Sequence, residues 1–271
     1  MDLFNKKQKA EELLEKGNAA YNAGNFTKAI EYYSKAIKLH PNFALAYNNR
    51  GNVYTILKKY EEAIKDISVA IKLKPDFSMA YYNRGLAYGF LGKNEEAMND
   101  NNKAIELNPN YPEAYNNLGL ANFDLGNHSK AIVDYTKAIE IKPDFAEAYF
   151  NRGTANGKLE NYDNAINDFT KVVELIPDNV AELKSKLAET YYNRGYSFSK
   201  LEKYNEAIED YNKTLYLYPN FPKAYYYRGN SYVNLKKYNE AIRDWEKAIE
   251  LDSKLESELR EKINEAKEKL K

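Results

Sequence analysis

Seven glycines recur along the chain at one interval. Gly17, Gly51, Gly85, Gly119, Gly153, Gly195 and Gly229 are separated by 34, 34, 34, 34, 42 and 34 residues. A period in this range makes the chain a stacked array, because a unit that short cannot bury its apolar face alone and must lay it against its neighbours. Numbering each unit from seven residues before its glycine, position 20 is Ala29, Ala63, Ala97, Ala131, Ala165, Ala207 and Ala241. Position 27 is Ala36, Ala70, Ala104, Ala138, Val172, Thr214 and Ala248. Position 32 is Pro41, Pro75, Pro109, Pro143, Pro177 and Pro219, and Ser253 ends the series.

The chemistry of each unit is that of two helices and a turn. In the stretch around Gly85 apolar residues recur at spacings of three and four, the stripe of an amphipathic helix. Gly92 and Gly126 stand where the first helix must turn, and the proline at position 32 ends the second. Asp76, Asn110 and Asp144 follow those prolines and are expected to cap the next helix. Pro112 and Pro222 stand near the first helical turn, where a missing N–H costs nothing. The aromatic at position 34 (Phe43, Phe77, Tyr111, Phe145, Phe221) is expected to pack across the junction between units.

A large residue at position 4, Gly at 8, Ala at 20 and 27 and Pro at 32 together resemble the tetratricopeptide repeat family, over roughly residues 10–253. The resemblance implies an all-α fold, a right-handed superhelical solenoid of seven helix–turn–helix units. They fall at 10–43, 44–77, 78–111, 112–145, 146–179, 188–221 and 222–253, after a lead at 1–9 and with an eight-residue insertion at 180–187. The insertion, Val180 to Leu187, contains good helix formers and no Gly or Pro, so it is expected to lengthen the first helix of repeat six by about two turns. It coincides with loss of the position-34 aromatic at Asn179. In residues 254–271, Leu255, Leu259, Ile263, Ala266 and Leu270 form one apolar stripe among Lys and Glu, the pattern of a capping helix that covers the last repeat. The whole reads as one elongated domain.

Two further patterns concern stability. Positions 11, 17 and 24 are mostly large, but repeats three to five place Asn94, Asn101, Asn122, His128 and Asn156 there. Buried polar groups need partners, so these residues either form a hydrogen-bonded network or soften the centre. Arg50, Arg84, Arg152, Arg194 and Arg228 at position 7 accompany Asp66, Asp100, Asp168, Asp210 and Asp244 at position 23 of the same repeats, which favours a bond between the two helices of one repeat.

Composition narrows function to a class. Lys+Arg and Asp+Glu are both 40, so the chain lacks the basic excess usual in nucleic-acid-binding domains. With no Cys there is no disulfide framework or thiol nucleophile, and the two histidines, His40 and His128, are nearly three repeats apart. No catalytic constellation, metal cluster or phosphate loop is visible, and no cofactor is implied. The start has no apolar core of a signal peptide and no apolar run is long enough to span a membrane, so a cytoplasmic location without membrane insertion is expected. A monomer is favoured.

In the family this chain resembles, the first helices of successive repeats line the ligand-binding face. The resemblance assigns to that face a column of carboxamides at position 6 (Asn49, Asn83, Asn117, Asn151, Asn193), which offers donors and acceptors to the backbone of an extended peptide. Beside it position 5 supplies Asn48, Tyr82, Asn116, Phe150, Tyr192 and Tyr226, and position 9 supplies Asn52. Exposed aromatics beside amides resemble a protein-binding surface. The carboxylate clamp with which some members hold acidic chaperone tails needs Lys at position 5 and Arg at position 6, and neither is present. The expected function is a non-catalytic adaptor that binds a peptide or protein segment. The alternatives are a self-assembling scaffold, or the recognition arm of a larger enzyme or complex.

Overall fold

The computed structural model describes residues 3–177 and 183–271. Among them are fifteen α-helices and one short 3-10 turn, and no strand. The chain divides into two compact units, Met1–Lys142 and Pro143–Lys271. The first contains the helix pairs α1 (Leu3–Asn22) and α2 (Phe26–Leu39), α3 (Ala44–Ile56) and α4 (Tyr60–Leu73), α5 (Ser78–Phe90) and α6 (Asn94–Leu107), α7 (Pro112–Asp124) and α8 (His128–Ile141). The second contains α9 (Ala146–Lys158) and α10 (Tyr162–Leu175), α11 (Lys184–Lys200) and α12 (Tyr204–Leu217), α13 (Pro222–Asn234) and α14 (Tyr238–Leu251). It ends with the 3-10 turn Ser253–Leu255 and α15 (Glu256–Glu268). Within each unit a helix packs on its repeat partner and on the helix that follows.

The register explains the packing. Ala29, Ala63, Ala131, Ala165, Ala207 and Ala241 are wholly buried, which lets paired backbones approach closely. A Cβ on Gly119 would stand 2.6 Å from the Tyr135 ring, so the position-8 glycine makes room for the large residue at position 24. The turn between helices needs left-handed backbone: Gly92 has φ 71° and Gly126 φ 78°. Lys58, Glu160, Glu202 and Lys236 take the same turn at φ 58° to 60° without glycine's freedom.

The expected caps are displaced by one residue. Phe77, Tyr111 and Phe145 occupy the N-cap positions of α5, α7 and α9 and make no side-chain cap bond, so Asp76, Asn110 and Asp144 lie one place too early. Packing of the half-buried position-34 ring fixes the entry of the chain instead, as where Tyr111 meets Tyr82 at 4.9 Å between centroids.

The five arginines clamp helices. Arg50 grips Asp66 with Nε at 2.6 Å and Nη2 at 2.8 Å, and Arg84, Arg194 and Arg228 grip Asp100, Asp210 and Asp244 in the same two-pronged way. The remaining nitrogen reaches back to the second helix of the preceding repeat: Arg50 to Ser34 at 2.9 Å, Arg84 to Ser68 at 3.0 Å, Arg194 to Thr170 at 3.1 Å. Each of these arginines therefore orients three helices, and the contact to Thr170 survives the insertion. Repeat four has Leu118 in place of the arginine, and there Asn122 Nδ2 donates to Asp134 at 2.8 Å.

Helix α11 is 17 residues long where α9 and α13 have 13, about one turn more; the rest of the expected extension falls on Val180, Ala181 and Glu182, which lie outside the described residues. Leu187, immediately before Ala188, takes the place the junction aromatic has elsewhere, and it is buried with Phe150, Phe169 and Ile176. In the last repeat Leu259, Ile263 and Ala266 of α15 pack on Trp245 and Ile242, while Leu270 is exposed, so the apolar stripe stops short of its last member.

Candidate functional site

On the first helices of unit one, the amides largely bind one another. Tyr33 OH donates to Asn18 Oδ1 at 2.8 Å, and Asn49 Nδ2 donates to the same oxygen at 3.0 Å. Asn48 Nδ2 donates to Asn49 Oδ1 at 3.2 Å, and Asn83 Nδ2 to Asn48 Oδ1 at 3.0 Å. The chain so formed runs from α1 through α3 to α5 and ties three repeats together. Asn52 Nδ2 donates to Tyr21 OH at 3.3 Å in the same way.

Exposure corrects part of the expected surface. Asn48, Asn83 and Asn116 are 1%, 8% and 2% exposed, and Phe150 is 6% exposed. These four are interior residues. Asn48 and Asn83 are drawn in because an amide on one first helix finds its partner on the next, and Phe150 because Lys186 of the insertion lies over its ring at 3.2 Å from the centroid. Burial pushes the Lys186 ammonium below its usual pKa. Tyr82 packs on Tyr111, and Tyr226 is taken up by the capping helix, where Lys262 Nζ donates to its hydroxyl at 2.9 Å and Glu258 accepts from it. Asn151 is half-buried and bonded.

Unit two brings Tyr192 and Asn193 together in a pocket of about 380 Å³ on α9 and α11. Its walls add Tyr162, Tyr196, Tyr227 and Phe169, with Lys158, Lys200 and Glu160 among the lining residues. Rings brace one another: Tyr196 meets Tyr227 edge-on at 5.2 Å, and Tyr192 touches Phe221 at 5.0 Å and Tyr227 at 6.0 Å. Burial, then the neighbouring Tyr227 and Tyr196, raise the Tyr192 phenol pKa, so it stays a neutral donor and acceptor. The Lys200 ammonium stands 5.3 Å from the Tyr196 centroid. Chemically this is a ring-lined recess with cationic groups, suited to an apolar or aromatic side chain carrying a polar group. Tyr196 and Tyr227 occupy positions 9 and 6 of the register, where the other repeats mostly carry amides or small and aliphatic residues.

The polar residues of the central repeats satisfy half of each choice. Asn101 Nδ2 donates to Ala97 O at 2.8 Å and Asn122 Nδ2 to Asp134, yet Asn101 Oδ1, Asn122 Oδ1, Asn117 Nδ2 and His128 Nδ1 are buried without a partner.

Comparison with known proteins agrees with this architecture. Models described as tetratricopeptide repeat match residues 14–77, 112–145, 146–179, 188–221 and 222–255, and one described as TPR repeat matches 91–126. The chain belongs to the tetratricopeptide repeat family. It is 42% identical over 52 residues to Hsp70-Hsp90 organizing protein 3 of Arabidopsis thaliana, a match covering 19% of this chain and 9% of that protein. The chain thus aligns with about a tenth of the length of such relatives. Among solved structures, that of MamA is 33% identical with a TM-score of 0.54, covering 59% of this chain and 93% of that one. A tetratricopeptide repeat protein from Parabacteroides merdae has the same fold at 23% identity and a TM-score of 0.63, over 96% of this chain and 99% of that one. The repeats and these relatives support a protein–protein interaction scaffold, and members of the family are typically non-catalytic.

Proposed function

We propose that the chain is an adaptor that holds a peptide or protein segment along its first-helix face, with the Tyr192–Asn193 pocket as its principal anchor. The observation that carries this reading is that Tyr192 and Asn193, which the family resemblance assigns to the ligand face, line one tyrosine-rich recess with Tyr162, Tyr196 and Tyr227. Open, braced rings supply contact area at low entropic cost, and the amide supplies direction. An acidic chaperone tail is not the proposed ligand: the likeness to the chaperone organizer spans 52 residues, and the register has no Lys at position 5 and no Arg at position 6.

Peptides selected from a displayed library against the purified chain test the site. Affinities are then measured against a variant carrying Asn193→Ala and Tyr196→Ala, with its fold checked by thermal melting. Loss of a hydrogen bond and a packed ring should weaken binding about tenfold or more. Unchanged affinity for every selected peptide moves the site off this pocket.

A further inference from the structure

The third repeat lacks two large side chains that both its neighbours have in the same register, and a third that the fourth repeat has. Position 24 is a buried ring or branched residue in six repeats (Tyr33, Ile67, Tyr135, Phe169, Tyr211, Trp245) and is Asn101 in the third. Position 17 is Phe26, Tyr60 and His128 in the other repeats of unit one and Asn94 here, and position 12 is Tyr21, Thr55 and Phe123 against Gly89. The three losses coincide in space. Asn94, Asn101 and Gly89 line one pocket of about 180 Å³ between α5, α6 and α7, together with Gly85, Leu86 and Leu120. A cavity of roughly 150 Å³ is known to take a benzene ring.

Asn94 and Asp124 also line this pocket, and two of its amide atoms are unanswered. Asn101 is 1% exposed, and its amide orientation is set by the bond from Nδ2 to Ala97 O at 2.8 Å, which leaves Oδ1 as an acceptor without a donor. Asn117 Nδ2, from the next repeat, is a buried donor without an acceptor. Both side chains line the pocket, and Phe90 stands 58% exposed at its edge, stacked on Tyr60 at 5.2 Å. A hydroxyl is the group that carries both complements, a hydrogen for an acceptor such as Asn101 Oδ1 and an oxygen for a donor such as Asn117 Nδ2.

We propose that this pocket receives a single phenol ring, the tyrosine side chain of a bound segment, in the space that a position-24 tyrosine fills from within in repeats one, four and six. The inference sharpens the segment-binding reading and rests on it. The occupant is a tyrosine rather than a phenylalanine because only the hydroxyl relieves the two orphaned amide atoms, and a ring rather than an aliphatic chain because the missing groups are mostly rings.

The test uses 4-methylphenol and toluene as probes on the whole isotope-labelled chain, followed by backbone amide shifts. The expected result is saturable shifts within residues 85–90 and 117–121 with 4-methylphenol, and binding of toluene at least about fivefold weaker, the effect of one or two hydrogen bonds. Asn101→Tyr, which supplies the ring from inside, should abolish the shifts. Asn101→Leu keeps the space but removes the acceptor, and should bring the two probes to similar affinity. Toluene binding the parent chain as well as 4-methylphenol, shifts confined to the Tyr192 pocket, or undiminished binding by Asn101→Tyr would each overturn the proposal. If Asn193→Ala with Tyr196→Ala spares every selected peptide while 4-methylphenol still enters at 85–90, the Tyr192 anchor fails and the phenol pocket stands.

Discussion

The two units have one register and use it differently. In unit one the first helices are joined by amides, from Tyr33 and Asn18 through Asn49 and Asn48 to Asn83. In unit two position 6 keeps Asn151 and Asn193, but position 5 holds Phe150, Tyr192 and Tyr226, and α11 meets α13 ring on ring, through Tyr192 and Tyr196 on Tyr227. Amides that satisfy each other leave little for a ligand, whereas rings that brace each other still show a face or an edge to the recess they frame. A regular column of one residue type is therefore a poor guide to where a repeat protein binds. Room is found where a register position departs from its usual residue, as at Tyr227 in position 6 and at Asn101 in position 24.

The comparison is sharpest at position 24, where Phe169 and Asn101 stand in the same register. Phe169 is 2% exposed in the core with Phe150, Val172 and Leu187. Phe169→Ala should cost about 3–5 kcal/mol, the range for emptying an aromatic site in a packed interior. Asn101→Ala gives up one bond to a backbone carbonyl but also removes an orphaned acceptor, so it should change stability by less than about 1 kcal/mol. Urea unfolding midpoints of the two variants against the parent chain measure both. Equal losses would show that repeat three is as tightly packed as repeat five, and the contrast would fall.

The next effect is electrostatic. Asp134 is the position-23 carboxylate without an arginine, and burial, only partly offset by the Asn122 bond, raises its pKa. A raised folded-state pKa means that the folded chain holds the proton more tightly than the unfolded chain. Its contribution is then fully present below the unfolded pKa and is lost as pH rises through the folded one. Asp134→Asn should accordingly raise the melting temperature at pH 7, by a margin that shrinks on acidification through the carboxylate range. Asp66→Asn, which breaks a two-pronged pair with Arg50, should lower it at pH 7. A melting temperature at pH 7 that Asp134→Asn leaves unchanged would mean that Asn122 fully replaces the missing guanidinium.

The fold was legible because its determinants are local and repeated. The glycine at 8, the alanines at 20 and 27 and the proline at 32 each act within one helix pair, and the Arg–Asp pairs follow from the same count. The caps were not, because the sequence shows a good capping residue at Asp76 but not that packing of the half-buried Phe77 decides the matter one residue later. The insertion was half legible: its helical character is in its composition, whereas the burial of Leu187 in place of the lost aromatic depends on Ile176 and Phe150 meeting it. Of the expected surface, Tyr192 and Asn193 line one pocket and Asn117 another. Asn48, Asn83, Asn116 and Phe150 do not, because whether an amide or a ring faces outward depends on its neighbour one repeat away.

The smallest effect separates the units at their turns. Unit one makes three of its four turns with glycine, at Gly24, Gly92 and Gly126, and the fourth with Lys58; unit two makes all three with Glu160, Glu202 and Lys236. A non-glycine residue in left-handed backbone costs about 1–2 kcal/mol, while glycine's extra freedom in the unfolded chain returns about 0.5–1 kcal/mol of that. Glu160→Gly and Lys236→Gly should each stabilise unit two by about 0.5–1 kcal/mol, and Gly126→Ala should destabilise unit one by a similar amount. None of these glycines has a neighbouring atom within 4 Å of where a Cβ would stand, so the effect is of the backbone alone. If Glu160→Gly destabilises instead, the glutamate side chain makes a contact that outweighs its strain, and the turns of unit two are held by more than their backbone geometry.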